Sequence, residues 1–127
     1  MIVFDDRKQD ERVKNLRIRE EEELAETLAA HHGIPYLDLS TQPINIDALR
    51  IIKESDAREA EVAVFNATDK KIDVAVISPK SESTSTLIEG LKQRGYIPEI
   101  FMVSHQSLEK VWDRYKDLSY SFETKSG

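Results

Sequence analysis

The chain has 127 residues, a formal charge of −6, no cysteine, and 33% charged against 39% hydrophobic residues. That length makes one domain with a real core, and the missing cysteine excludes a disulfide framework or any thiolate nucleophile or metal site. The acidic balance argues against nucleic acid or an anionic membrane as partner, because those affinities rest on clustered Lys and Arg.

No apolar run approaches the roughly 20 residues a membrane helix needs. The opening MIVFDDRKQDER lacks the apolar centre of a signal peptide. A soluble, cytoplasmic chain without direct membrane insertion is expected.

Residues 1–19 form a charged N-terminal arm in which Val13, Leu16 and Ile18 are the main apolar points. Pairs such as Asp10/Lys14 and Arg17/Glu21 support a helix only weakly. Two readings stay open: a mobile or marginally helical arm, or a segment that becomes ordered on a partner.

The ordered domain is expected over residues 20–118. Its first helix begins at Glu20–Glu23, negative charge on a positive helix end. Leu24, Ala25, Leu28 and Ala29 follow as one narrow apolar stripe. Gly33 ends the helix in a left-handed cap and Pro35 forbids continuation. Tyr36–Leu39 is a short extended piece. Pro43 and Asn45 open a second helix, with Asn45 as N-cap and Ile46, Leu49 and Ile52 on one face. Ala57 and Ala60 extend that face if the helix continues past Ser55.

The stretch from Glu61 to Pro79 reads as a hairpin. Val62–Phe65 and Ile72–Ile77 are its strands, with Asn66–Lys71 as the polar linker. In the second strand Ile72, Val74 and Val76 point to one face, and Asp73, Ala75 and Ile77 to the other. A third helix carries Leu87, Ile88 and Leu91 and stops at Gly95. Ile97–Val103 is a third strand, with Pro98 confining it to an edge or to the strand's beginning. Ser104 caps a last helix bearing Leu108, Val111, Trp112, Tyr115 and Leu118, the strongest helical period in the chain. Residues 119–127 read as a linker.

The expected fold class is α+β: a two-layer sandwich of helices on a three-stranded, mainly antiparallel sheet, with a short extra strand allowed for. A right-handed crossover makes the second and third strands parallel. Placing the third beside the first gives the order 2-1-3.

Little points to catalysis. There is no G-x-x-x-x-G-K-[ST] loop, so no nucleotide hydrolysis is assigned. His31 and His32 point about 100° apart on a helix, which suits a helix C-terminus better than one shared ion. Lys80–Thr86 could hold an anion before a helix, though ordinary capping explains it. No carboxylate pair sits in an apolar setting. No catalytic, metal or cofactor residue is expected. The residues left for partner binding are Leu16, Leu24 and Leu28, on the arm and the narrow stripe of the first helix.

One family fits these landmarks. The stretch Gly33-Ile34-Pro35-Tyr36-Leu37-Asp38-Leu39-Ser40 resembles the N-terminal domain of the traffic ATPases that drive type II secretion and type IV pilus assembly, the general secretory pathway protein E family. Pro43-Ile44-Asn45-Ile46-Asp47-Ala48-Leu49 and Ala57-Arg58 before Val62–Phe65 follow in family order. Ala75-Val76-Ile77-Ser78-Pro79 matches a segment that commonly reads Ala-x-x-Asp-Pro, with Ser in place of Asp. Ile100–Val103 and Ser107–Tyr115 correspond to the closing strand and helix.

The resemblance implies a bacterial adaptor, peripheral to the inner membrane through its partner. It would dock the motor onto the cytoplasmic domain of an inner-membrane platform protein and precede motor domains of the same parent chain, where ATPase activity would lie. A subset of the family binds cyclic di-GMP through motifs built on Arg-Leu-Gly-x-x-Leu. Here Asn15-Leu16-Arg17-Ile18-Arg19-Glu20-Glu21 lacks that Gly and is followed by acid, which disfavours a dianionic ligand. That sensing role is the alternative.

Overall fold

A computed structural model describes the backbone of residues 6–118 and the side chains of residues 17–118. The first five residues and the expected linker at 119–127 lie outside the described residues. The elements are helix α1 (Asp6–His32), a 3-10 turn (Leu39–Thr41), α2 (Ile46–Leu49), α3 (Glu54–Ala60), β1 (Val62–Thr68), β2 (Lys71–Val76), α4 (Glu82–Gln93), β3 (Ile97–Met102) and α5 (His105–Asp113). Helix α1 is continuous, so the arm from Asp6 onward shares one helix with the stripe at Leu24–Ala29.

The fold is the expected α+β arrangement of helices on a three-stranded sheet, but the strand order differs. The order is β1-β2-β3, not 2-1-3. β1 and β2 pair antiparallel, and β2 and β3 pair parallel. The third strand does not flank β1, because the outer edge of β1 is already in use. The Val62 carbonyl accepts from the Trp112 indole N–H at 3.0 Å, and the Phe65 carbonyl accepts from the Asn45 N–H at 2.9 Å. Buried carbonyls paired in this way leave no ladder for another strand.

Pro98 is nonetheless on an edge. In β3 the Ile97 N–H donates to the Lys70 carbonyl at 2.8 Å, and alternation turns the nitrogen of Pro98 away from β2, where no donor is missed. The far end of that edge is closed by the segment after α1. Met102 N–H donates to Pro35 O and Leu37 N–H to Met102 O, with Tyr36 bridged parallel to Met102. The extra strand is this single bridge.

The hairpin is longer than its apolar residues indicate. Ala67 and Thr68 pair with Ile72 and Lys71, and a bulge falls at Phe65. Only Asp69 and Lys70 form the turn, with Asp69 at φ 55, the left-handed region that Asp tolerates. One face of the sheet is fully apolar: Val62, Val64, Val74 and Val76 are completely buried. The other is mixed, with Asn66 donating to the Asp73 carboxylate at 3.2 Å and Phe65 meeting Phe101 edge-on at 5.9 Å.

The second helix is two helices. α2 ends at Leu49, and Lys53 sits in an extended conformation (ψ 146) before α3. The break lets Leu49, Ile52 and Ala57 all reach the core, which one straight helix would not do. Asn45 caps α2 by accepting from Asp47 N–H, and Ser104 caps α5 by accepting from Ser107 N–H. Gly33 is left-handed (φ 69), as its place at the end of α1 requires.

Candidate functional site

Among its described residues, helix α1 touches the body of the domain by one side. Ala25 and Ala29 are the buried residues among its described side chains, and small side chains let the helix lie close to the sheet and α5. Its polar anchor is Glu22. That carboxylate accepts from the Tyr36 hydroxyl, from the Ser104 hydroxyl and from Gln106 Nε2 at 2.9 Å. Gln106 Nε2 also donates to the Ile18 carbonyl at 3.2 Å. A carboxylate at the start of α5 also meets the positive end of that helix. Burial and Glu22 together raise the Tyr36 hydroxyl well above the usual tyrosine range.

The stripe read from the sequence therefore divides. Its alanines face inward and its leucines outward: Leu24 is 58% and Leu28 40% exposed, with Ile18 at 41%. Leu24 and Leu28 stand one turn apart and form a ridge among exposed Glu20, Glu21, Thr27 and His31. The side chain of Leu16, the third expected partner residue, lies outside the described residues.

A second surface feature escaped the sequence. Helices α3 and α4 run antiparallel, tied at one end by Thr84 Oγ1 donating to Ala60 O at 2.9 Å and at the other by Arg94 Nη1 donating to Ile51 O at 2.8 Å. Between them lies an open groove of about 790 Å³. Ile52, Ala60, Leu87 and Leu91 floor it; Arg50, Lys53 and Arg94 stand at one end, and Glu59 and Glu82 at the other. The gap depends on where the chain breaks between α2 and α3, which no sequence period marks.

Among the described residues no three His, Asp or Glu side chains could share a metal ion. The rings of His31 and His32 meet edge to face at 5.5 Å, and His32 Nδ1 is buried without a protein partner. Among the described residues no helix is long and apolar enough to cross a membrane.

The features that stand out on this helix-clad open sheet are a ridge and a groove. The MshEN domain family matches residues 32–121. The chain belongs to that family, the N-terminal domain of GspE/MshE-type traffic ATPases.

Solved structures agree. The structure of MshE with cdg (cyclic di-GMP) superposes with a TM-score of 0.62 at 26% identity, over 72% of this chain and 66% of that one. The N-terminal domain of XpsE, in two crystal forms, gives 0.58 at 15% identity over 75% of this chain and 66% of its own, a likeness of fold alone. The chain thus spans about two-thirds of the length of each (66%). No curated protein matches it in sequence. The family match begins at His32, so nearly all of α1, with its ridge, precedes it.

Proposed function

We propose that this is the adaptor domain of a bacterial secretion or pilus motor. It docks the motor domains of its parent chain onto the cytoplasmic domain of an inner-membrane platform protein. The observation that carries the reading is the ridge of α1: two leucines one turn apart, 58% and 40% exposed, on a helix held by alanines and a carboxylate anchor. Exposed apolar side chains on a helix face are what an interface buries. In this reading ATP hydrolysis belongs to the motor domains, and the adaptor works from the cytoplasm, reaching the inner membrane only through its partner.

The test is titration calorimetry of this domain against the cytoplasmic domain of the platform protein encoded with it. Binding that Leu24→Glu removes supports the reading. Binding indifferent to both Leu24→Glu and Leu28→Glu would refute it.

The second reading is a cyclic di-GMP sensor, favoured by the likeness to MshE with cdg. Against it stand Glu20, Glu21, Glu23 and Glu26, all exposed on α1, where they repel a dianion. Calorimetry with cyclic di-GMP separates the two, since micromolar binding would put the sensor first.

A further inference from the structure

The α1 ridge and the α3–α4 groove are complementary to one another, and both lie on the same chain. Along α1, exposed Glu20 and Glu21 come first, then Leu24 and Leu28, then His31. On a helix of 3.6 residues per turn these five share one face, since each lies within about 60° of Leu24. From Glu20 onward the order on that face is acid, apolar, imidazole, with exposed Arg17 one turn before it.

The groove offers the reverse order. Arg50, Lys53 and Arg94 stand at one end, an apolar floor follows, and Glu59 and Glu82 stand at the other end. Among the described residues neither Lys53 nor Arg94 forms an ion pair, and neither do Glu59 and Glu82. Arg94 is held in place by the Ile51 carbonyl and stacks 5.2 Å from the centre of the Tyr96 ring. Arg50 has only a loose 3.9 Å contact with Asp47. Along α4, Gly90 leaves the wall low: a side-chain carbon there would meet nothing within 4 Å.

Lengths agree as well. From Glu20 to His31 the ridge runs about 16 Å, and α4 runs about 18 Å.

We propose that the groove is a docking site for helix α1 of a second copy of this chain. Glu20 and Glu21 of the incoming helix lie against Lys53 and Arg94. Leu24 and Leu28 cover Leu87 and the floor, and His31 reaches Glu59 and Glu82. The incoming helix runs parallel to α3 and antiparallel to α4. Arg17, one turn before Glu20, passes beyond the basic end, and Asp56, which also lines the groove about one turn along α3 from Lys53, competes with Glu20 and Glu21 for the same cations.

The two surfaces differ, so the contact is head-to-tail: each copy gives a ridge and receives one, which builds rings or chains and not closed pairs. One helix face buries far less than the roughly 1,200 Å² of a stable interface. The contact is therefore weak between free domains and is felt at high local concentration. It uses the same ridge as the proposed platform contact, so the two occupants exclude each other.

Sedimentation equilibrium of the 127-residue chain, with no platform protein present, tests this alone. Its failure leaves the docking reading standing, and failed docking leaves this one. The wild type should gain weight-average mass with concentration up to about 1 mM, the range of weak association. Leu24→Glu and Arg94→Glu should each stay monomeric. Mixed together they should form a one-to-one dimer and stop there, since one supplies the working groove and the other the working ridge. Lys53→Glu replaces Arg94→Glu should the latter lose its circular-dichroism melt. A wild type monomeric throughout, a variant that associates like wild type, or a mixture that stays monomeric overturns the proposal.

Discussion

The indole N–H of Trp112 donates to the carbonyl of Val62 at 3.0 Å, joining the last helix to the first residue of the first strand. The same ring lies 5.4 Å under the Arg58 guanidinium and meets His105 edge-on. One side chain thus connects α3, β1 and α5, across 50 positions of sequence. Trp112→Ala should cost about 3–5 kcal/mol, the usual loss for truncating a large core aromatic. Trp112→Phe should cost about 1–3 kcal/mol, because it strands the buried Val62 carbonyl while keeping most of the ring. Urea melts of the two variants check the order; a Trp112→Phe variant as stable as wild type would mean the hydrogen bond contributes nothing.

Tyr115 makes a parallel bond, its hydroxyl donating to the Ile52 carbonyl at 3.0 Å. Burial pushes its ionisation up to about 12 from the ordinary 10. The folded value exceeds the unfolded one, so this stabilisation is fully present below pH 10 and is lost as pH climbs towards 12. Tyr36, raised in the same direction by burial and Glu22, adds to the effect. Melting temperature should therefore fall through that alkaline window. Tyr115→Phe should lower stability at pH 7 and make the alkaline fall shallower, which thermal melts at pH 7, 10 and 11.5 would show.

What was legible in the sequence, and what was not, follows from the range of the forces. Asn45, Ser104 and Gly33 announce helix ends because a cap is a bond within three residues. The period of Leu108, Val111 and Trp112 gives the last helix for a similar reason. Strand order is not local. It depended on Trp112 and Asn45 taking the carbonyls of β1, contacts over 50 and 20 positions that no spacing announces. The ridge was half legible. A narrow stripe could be seen, but whether Leu24 or Ala25 faced inward was decided by how close the helix must come to the sheet. The groove was invisible, because Arg50 ends α2, Lys53 precedes α3 and Arg94 ends α4.

Glu22 is the point where α1 is fastened. It takes hydrogen bonds from Tyr36, Ser104 and Gln106, and its replacement by Ala leaves the Tyr36 and Ser104 hydroxyls without their acceptor and Gln106 with the Ile18 carbonyl alone. The expected cost is about 1–3 kcal/mol, concentrated in α1 since the core is untouched. Hydrogen exchange should quicken in residues 18–32 by about tenfold or more, roughly what 1.4 kcal/mol of local opening gives, while β2 keeps its protection. Glu22→Gln retains an acceptor oxygen and should fall between wild type and Glu22→Ala. Uniform acceleration across the sheet would show instead that α1 and the body unfold as one.

The leucines and alanines of α1 give the last test, because their exposures predict opposite mutational signs. Ala29 is 1% exposed and Leu24 58%. Ala29→Leu inserts a large side chain where the helix lies closest to its neighbours and should destabilise by about 1–3 kcal/mol, as overpacking does. Leu24→Ala removes a mostly solvated side chain and should change stability by less than about 0.5 kcal/mol, the range of surface substitutions. The more hydrophobic variant should thus be the weaker fold, against the trend of a stripe buried as a whole. Were Leu24→Ala the costlier of the two in urea melts, the ridge would be packed against the body and not offered to a partner.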